Sequence, residues 1–187
     1  KNIRYLCGKP LLQYTAEAAL QATLLTHVIL STDDEEIARV GRLCGLDIPF
    51  MRPAELADDQ TPMLAVVQHA LRVMNERGDA FDAVCLLQPT SPLRKAEDID
   101  ACIRLLFERQ ADSVFTVLAV PPQYNPHWVY FPGDEGYLHL STGEKKPISR
   151  RQALPDAFHR EGSIYVSRCQ VVLEENSLYG QKTVGYL

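Results

Sequence analysis

The stretch Val84-Cys85-Leu86-Leu87-Gln88-Pro89-Thr90-Ser91-Pro92-Leu93-Arg94 decides the fold of this chain. Four apolar residues followed by two prolines predict a buried central strand of a parallel sheet, and then a loop that cannot continue the hydrogen-bond ladder. In open α/β sheets ligands collect at the carboxyl ends of strands. The polar side chains of this loop are therefore candidate substrate contacts: Gln88, Thr90, Ser91 and Arg94. A plain strand-to-helix connection stiffened by proline is the alternative.

Strands and helices are predicted to alternate on both sides of this stretch. The helices are expected at about 11–22, from a cap at Thr32-Asp33 to about Cys44, at about 62–77, at about 96–107 and at about 168–174. The strands are expected at 28–31, 48–51, 84–87, 113–117, 162–166 and 183–186. This alternation predicts an α/β fold with a mostly parallel sheet.

The segment of about 121–151 has a different texture, rich in proline, glycine and aromatic residues. Its short alternating runs at 128–131 and 137–140 predict a hairpin-like excursion from the main sheet. The 187 residues otherwise fit one α/β domain, which spans 1–187 with this excursion inserted.

Composition narrows the class of protein. A net charge of -5 offers no field that would attract nucleic acid or an anionic membrane, so neither is an expected partner. The five cysteines are scattered and lack zinc-ligand spacing, which favours buried thiols over a disulfide framework. No apolar stretch reaches the roughly 20 residues that span a bilayer. The expected location is the cytoplasm.

Several charged residues are open to both a ligand-binding and a structural interpretation. A cluster of cations, with Arg151 and Arg160 nearest to a predicted strand, could bind a phosphate or carboxylate or could form a solvated loop. Asp98 and Asp100 lie two apart on a helix and point about 200 degrees apart, so they are not expected to share a metal ion. Asp58-Asp59 could bind a metal or form an exposed turn.

The aromatic and histidine candidates are also open to two interpretations. Trp128 could pack on a sugar ring or on the excursion itself. His27 and His69 lie in or beside predicted core elements, where a structural role is expected. No order of residues indicates a covalent nucleophile.

Taken together, the motifs resemble the acylneuraminate cytidylyltransferase family, the CMP-sialic acid synthetases. The resemblance extends over nearly the whole chain and rests on the order and spacing of five elements. They are Lys1-Asn2 with Gly8-Lys9-Pro10-Leu11, Ser31-Thr32-Asp33, Arg52-Pro53-Ala54-Glu55-Leu56, Leu87 to Arg94, and Gly162-Ser163-Ile164-Tyr165.

This resemblance implies a Rossmann-like three-layer nucleotidyltransferase fold with helices on both faces of the sheet. It implies a homodimer built partly through the excursion. The implied reaction joins CTP to a nine-carbon α-keto acid sugar and gives a CMP-sugar and pyrophosphate. The anomeric hydroxyl attacks the α-phosphate directly, so positioning and charge neutralisation dominate the catalysis.

The resemblance also implies roles for individual residues. On the nucleotide side, Lys1 neutralises phosphate charge as the catalytic residue, Asn2 reads the cytosine, and Arg52 contacts the nucleotide. The sugar side is formed by Gln88, Arg151, Tyr165 and Tyr179, with Arg151 receiving the acidic end of the sugar. A guanidinium suits a carboxylate and an amide suits hydroxyls, so these assignments agree with the chemistry.

The family's glycine-rich phosphate loop is expected before Lys1 and its metal-binding Asp-x-Asp after Leu187. The implied Mg²⁺ would therefore have no ligand within residues 1–187. One alternative is a catalytically inactive nucleotide-binding or scaffolding homologue. Another is a cytidylyltransferase for a different 3-deoxy-2-keto acid sugar, because Trp128 and His159 differ from residues of the family's sugar side.

Overall fold

The computed structural model describes residues 1–58 and 60–187. The chain divides into two compact units, the first formed by residues 1–116 and 162–186, and the second by residues 117–161 with Leu187. The elements are, in chain order, β1 (Tyr5–Leu6), β2 (Lys9–Pro10), α1 (Leu11–Gln21), α2 (Glu35–Leu43), α3 (Met63–Glu76), β3 (Ala83–Leu86), α4 (Ala96–Glu108), β4 (Ser113–Ala119), β5 (Tyr130–Pro132), β6 (Leu138–Leu140), β7 (Phe158–Arg168), α5 (Cys169–Glu174) and β8 (Thr183–Tyr186). Short 3₁₀ turns lie at Ala54–Leu56, Pro122–Tyr124, Pro126–Trp128, Asp134–Gly136 and Arg151–Ala153.

The main sheet has four strands in the order β3-β7-β4-β8. β4 pairs with β8 in parallel, whereas β3 pairs with β7 antiparallel and places Leu86 opposite Tyr165. The sheet is therefore mixed, and the strands predicted near 84, 113, 162 and 183 are present. The prediction that the first of them is a central strand of a parallel sheet is wrong, because β3 stands at the end of this order and pairs antiparallel. β7 lies between β3 and β4 although it follows them by many residues in the chain.

The two strands predicted at 28–31 and 48–51 do not form. Their place is taken by one isolated parallel bridge between Ile29 and Asp47. Leu30 donates to Asp47 O at 2.8 Å and Arg52 donates to Thr32 O at 2.9 Å, so the two segments do run side by side. Pro49 lies between these contacts and has no N–H to donate, which prevents a continuous ladder.

Helices cover both faces of the sheet, as predicted. Along β3, Ala83 and Cys85 pack into an apolar cluster with residues of α1 and α4. Val84 and Leu86 point to the opposite face and pack with residues of α3 and α5. This alternation along one strand produces the three layers.

The helix boundaries follow local capping. Helix α2 begins after Asp34, whose carboxylate accepts the N–H groups of Glu36 and Ile37 at 2.8 and 2.9 Å. The predicted cap at Thr32-Asp33 is therefore wrong by one residue. The Thr32 hydroxyl instead accepts the N–H of Asp34 at 3.2 Å, which fixes the turn before the helix.

The second unit contains the predicted hairpin. β5 and β6 pair antiparallel, with Phe131 opposite His139. Trp128 donates its indole N–H to Ile148 O at 2.6 Å, so it packs on its own unit. Asn125 ties two parts of the unit together, because its amide donates to Pro155 O at 2.9 Å.

Candidate functional site

The loop after β3 is held by a buried arginine. Arg94 is only 9% exposed. Its guanidinium donates to Ser163 O on β7 at 2.8 Å, to Thr15 Oγ1 on α1 at 3.1 Å and to Gln88 O at 2.6 Å. The expectation that Arg94 stands among the ligand-facing groups of the loop is therefore wrong. Its planar guanidinium, with several donors, fixes the loop against β7 and α1.

Gln88 is the polar side chain that this arrangement presents. Its carbonyl is fixed by Arg94, and its side chain is half-buried at the end of β3. Within residues 1–58 and 60–187, no group hydrogen-bonds its side-chain amide. A fixed backbone with an available amide suits recognition of a hydroxyl-rich ligand.

Three aromatic rings lie together, two on neighbouring strands of the sheet and one on the segment after α5. The centroid of Phe115 on β4 is 5.9 Å from that of Tyr165 on β7 and 5.8 Å from that of Tyr179. Tyr165 and Tyr179 are 6.5 Å apart at an interplanar angle of 68°. We call Phe115, Tyr165 and Tyr179 the aromatic triad. Because Tyr165 is paired with Leu86, the triad lies beside the strand that leads to Gln88.

The segment that carries Tyr179 is held by hydroxyl groups. Ser177 Oγ accepts the N–H groups of Tyr179 and Gly180 at 3.0 and 3.2 Å. The carbonyl of Tyr179 accepts from the hydroxyls of Ser113 and Thr183, the latter at 2.9 Å. Helix α5 ends at Glu174, so these bonds give residues 177–182 the order that a helix or strand would otherwise provide.

Asp112 secures the end of this segment. Its Oδ2 accepts the backbone N–H groups of Gln181 at 2.9 Å and Lys182 at 2.8 Å. These two bonds, first that from Lys182 and then that from Gln181, hold the pKa of Asp112 below its usual value, with help from the charges of Lys182 and Arg168. Asp112 is therefore an anion at neutral pH, bound to the backbone.

The candidate nucleotide residues lie elsewhere in the first unit. Lys1 is exposed, and Asn2 is half-buried with its carbonyl accepting the N–H of Leu12 at 2.8 Å. Arg52 donates to Asp33 Oδ1 at 3.1 Å. Its Nε and the hydroxyl of Ser31 are buried without a hydrogen-bond partner among the described residues. Such orphaned buried polar atoms are uncommon in folded proteins.

Arg151 belongs to the second unit. It is exposed on the turn Arg151–Ala153 and lines a cavity of about 400 Å³ together with Asn125, Pro155 and Asp156. The sequence-predicted residues thus fall into separate places. Tyr165 contacts Tyr179, and Gln88 follows the strand that is paired with Tyr165. Asn2 adjoins the start of α1, Lys1 precedes it in the chain, and Arg52 pairs with Asp33.

The two carboxylates of Asp98 and Asp100 are separated, as predicted. Asp98 accepts from the hydroxyl of Tyr186 at 3.0 Å. Asp100 accepts from the N–H of Thr23 at 3.0 Å and of Leu24 at 2.9 Å, and from the Thr23 hydroxyl at 2.8 Å. Burial raises the pKa of Asp100, but these hydrogen bonds outweigh it and the pKa is lowered overall. Asp100 therefore joins α4 to the end of α1.

Other candidates have structural partners. The ring of His27 contacts Phe81 and the ring of His69 contacts Phe50, each at 5.0 Å between centroids. Asp58 Oδ1 accepts the N–H of Gln60 at 2.9 Å, whereas Asp59 lies outside the described residues. In the part of the chain that the structure describes, no three acidic, histidine or cysteine side chains are grouped to hold a metal ion.

The sequence alone did not reveal the structural roles of Arg94 and Asp112, the two charged residues that hold the site. Arg94 was identified as a loop residue, but its contact with Thr15 joins positions 79 residues apart. Asp112 was not identified, because Gln181 and Lys182 are 69 and 70 residues away. The available signal for Asp112 was its position directly before a buried strand, which is too common to be specific.

Solved structures of a synthetase and a synthase share this fold. CMP:2-keto-3-deoxy-manno-octonic acid synthetase complexed with CTP superposes with a TM-score of 0.69 at 17% identity, covering 100% of this chain and 83% of that one. 4-Diphosphocytidyl-2C-methyl-D-erythritol synthase from Anaerococcus prevotii has a TM-score of 0.61 at 12% identity, covering 98% and 81%. At these identities the likeness shows the fold alone. The predicted Rossmann-like nucleotidyltransferase fold is confirmed.

The sequence comparisons define the family. The cytidylyltransferase family model matches residues 1–179, so the chain belongs to the cytidylyltransferases, a class of nucleotidyltransferases. It is 31% identical over 179 residues to pseudaminic acid cytidylyltransferase of Campylobacter jejuni, covering 96% of this chain and 76% of the relative.

Two further relatives are named for different sugars. CMP-N,N'-diacetyllegionaminic acid synthase of Legionella pneumophila is 30% identical over 183 residues, with 98% and 77% covered. N-acylneuraminate cytidylyltransferase of Escherichia coli is 29% identical over 187 residues, with 100% and 43% covered. Among the residues that the structure describes, no helix is both long and apolar enough to cross a membrane.

Proposed function

We propose that this chain transfers the cytidine monophosphate group of CTP to a nine-carbon α-keto acid sugar and releases pyrophosphate. The relatives are named for pseudaminic, legionaminic and acylneuraminic acids, which are sugars of this kind. The observation that carries the proposal is the ring contact of Tyr165 with Tyr179 beside β3, the strand that leads to the available Gln88 amide. Amide and phenol groups beside aromatic faces suit a sugar with many hydroxyls and apolar C–H surfaces.

In the proposed reaction the anomeric hydroxyl oxygen of the sugar attacks the α-phosphorus of CTP. The bond to the bridging oxygen of the pyrophosphate breaks, and the hydroxyl proton leaves to solvent. No covalent enzyme intermediate is required, so the protein contributes orientation and charge stabilisation. Gln88, Tyr165 and Tyr179 would orient the sugar for this attack.

The remaining candidate residues take the roles implied by the family. Arg52 would contact the nucleotide, which is supported by its buried Nε without a partner among the described residues. Lys1 would neutralise phosphate charge, Asn2 would read the cytosine, and Arg151 would bind the sugar carboxylate. Mg²⁺ on the phosphates remains part of the proposal, with no ligand assigned to residues described in this chain.

A homodimer is also proposed. The hairpin β5–β6 exposes large apolar side chains, with Phe131, Tyr137 and Leu138 each more than 60% exposed. Exposed apolar groups of this size on adjacent strands are typical of an interaction surface, and a second copy is the occupant we propose. We also propose the cytoplasm as the location, where the five free cysteines of the chain would stay reduced.

The test is pyrophosphate release from CTP by the full-length protein with a panel of acidic sugars. The panel contains pseudaminic acid, N,N'-diacetyllegionaminic acid, N-acetylneuraminic acid and the eight-carbon 3-deoxy-manno-octulosonic acid. We expect release with at least one nine-carbon sugar, loss of release with EDTA, and little release when UTP replaces CTP. Release with the eight-carbon sugar alone would replace the proposed substrate class. CTP binding without turnover of any sugar would favour the inactive homologue.

A further inference from the structure

The segment 177–182 carries one candidate sugar contact but lies outside every helix and strand. Its conformation therefore depends on side chains that reach it from elsewhere. The hydroxyls of Ser113, Ser177 and Thr183 contact its first half, at Tyr179 and Gly180. Among the described residues, Asp112 is the charged side chain that accepts hydrogen bonds from its second half, at Gln181 and Lys182.

We propose that Asp112 is a positioning residue of the sugar site, whose carboxylate fixes the segment 177–182 so that Tyr179 stays in the aromatic triad. This inference rests on the proposed function. Asp112 does not itself touch the triad in any described contact. It acts through the backbone of the segment, and its importance follows from the strength of hydrogen bonds to an ionised acceptor.

Reciprocal backbone contacts support this role. While the carboxylate accepts from Lys182, the N–H of Asp112 donates to Lys182 O at 2.9 Å. Asp112 directly precedes β4, and Lys182 directly precedes its parallel partner β8. We call the hydrogen bonds of Asp112 to Gln181 and Lys182 the clamp. The clamp continues the β4–β8 ladder by one residue before Ser113 and Thr183, and it fixes where the segment meets the sheet.

Gly180 shows that the segment approaches Asp112 closely. Its φ of +66° lies in the left-handed region, and a Cβ built at this position would be 2.4 Å from Asp112 Cβ. Both features require glycine. The next residue toward the sugar site is Tyr179, so we expect a displacement of Gly180 from Asp112 to move Tyr179.

Tyr179 in turn contacts the rest of the triad edge to face. Its ring meets Phe115 at 85° and Tyr165 at 68°. Such pairs depend on distance and orientation, so a shift of the segment would change the surface that the two tyrosines present together. We therefore expect a loosened clamp to weaken binding of the sugar and not of the nucleotide.

The groups that face Asp112 keep it ionised. Lys182 lies on the segment itself and Arg168 lies at the end of β7, and both lower the pKa of Asp112. The substitution Asp112→Asn keeps the shape and an acceptor oxygen but removes the charge. Asp112→Ala removes the acceptor as well. The two variants thus separate the contribution of charge from that of the hydrogen bonds.

The experiment measures steady-state kinetics and amide hydrogen exchange in the full-length protein. We expect Asp112→Asn to raise the KM for the sugar by about tenfold while the KM for CTP changes by less than about twofold. Exchange at Gln181 and Lys182 should accelerate, more so in Asp112→Ala. The matched control is Asp82→Asn, because Asp82 is exposed and directly precedes β3 as Asp112 precedes β4.

The outcomes separate this proposal from the proposed function. If the wild-type protein turns over no sugar, the proposed function fails, and equal exchange in wild type and variant would then overturn the clamp as well. Faster exchange with an unchanged sugar KM would show a structural bond without a positioning role, which overturns the proposal. Should Asp112→Ala fail to fold, Asp112→Asn decides.

Discussion

The loop 88–94 and the segment 177–182 bring candidate sugar contacts to the same sheet, but charges of opposite sign hold them. In the first, the cation of Arg94 donates to oxygens of three separate elements and is almost wholly buried. In the second, the anion of Asp112 accepts from two consecutive amides and is only partly buried.

This difference teaches how firmly each contact is built into the fold. A buried guanidinium without its acceptors is costly, so the loop 88–94 cannot loosen without disturbing α1 and β7. The two Asp112 bonds to the segment 177–182 lie at one end of β4 and β8, so we expect their loss to loosen the segment and leave the sheet in place. We therefore expect changes at Arg94 to affect stability and changes at Asp112 to affect sugar binding.

The substitution Arg94→Lys should have the largest effect. A lysine provides donors at one point and cannot reach Ser163, Thr15 and Gln88 together, so buried acceptors lose their partners. We expect a loss of about 2 to 4 kcal/mol in the free energy of unfolding, measured in urea. Arg104→Lys is the control, since Arg104 is exposed on α4. A similar loss in both variants would contradict the comparison.

Gly180→Ala tests the close approach of the other segment. The new Cβ would meet Asp112 and the residue would be held at a left-handed φ, which together should cost about 1 to 3 kcal/mol. Gly78→Ala separates the two causes, because Gly78 has a φ of +93° with nothing within 4 Å of an added Cβ. Urea unfolding gives the loss in the free energy of unfolding for each variant. The difference between the two losses is the contribution of the contact with Asp112. Equal losses would mean that the contact with Asp112 is unimportant.

Gln88→Ala tests the side chain that the rigid loop presents. Since Arg94 holds the loop through the backbone of Gln88, the fold should remain while the amide is lost. We expect kcat/KM for the sugar to fall at least about tenfold, equivalent to about 1.4 kcal/mol, with little change in KM for CTP. Equal increases in KM for the two substrates would argue against the sugar role of Gln88.

Lowering the pH should distinguish the contacts of Asp112 from those of Arg94, and this is the smallest of the expected effects. The folded pKa of Asp112 is lowered, so its stabilising contribution is complete above the unfolded value of about 3.9 and is lost as pH falls through the folded pKa. The amide resonances of Gln181 and Lys182 should therefore shift as the pH is lowered from 6 to 3. The side-chain Nε–H resonance of Arg94 should stay, because a guanidinium does not titrate there. Asp112→Asn should abolish the shift at both amides.

Local patterns predicted most of the fold. The apolar run before Gln88 and the periodicity of α3 and α4 contained enough information to place a strand and two helices. The predicted start of α2 was wrong by one residue, because single hydrogen bonds to the Asp34 carboxylate determine where that helix begins. The expected strand at 28–31 failed because an edge segment needs a continuous partner, and Pro49 interrupts the neighbouring one.

The candidate site was predictable only in part. Gln88 follows a recognisable strand, and Tyr165 lies in a motif with family resemblance, so both could be named from the sequence. Arg94 was named with the wrong role, because burial depends on Thr15 and Ser163, far away in the chain. Asp112 has no specific local signature, since its partners are brought near by the pairing of β4 with β8.

The position of β7 has a consequence for biosynthesis. β7 fills the gap between β3 and β4, yet 38 residues separate the end of β4 from the start of β7, so the ribosome makes β7 long after both neighbours. Until then the inner edges of β3 and β4 have no partner, and exposed strand edges of this kind invite pairing with other chains. Nascent chains released before Arg168 should therefore aggregate, and slow completion of the sheet makes this protein a candidate for chaperone dependence during synthesis.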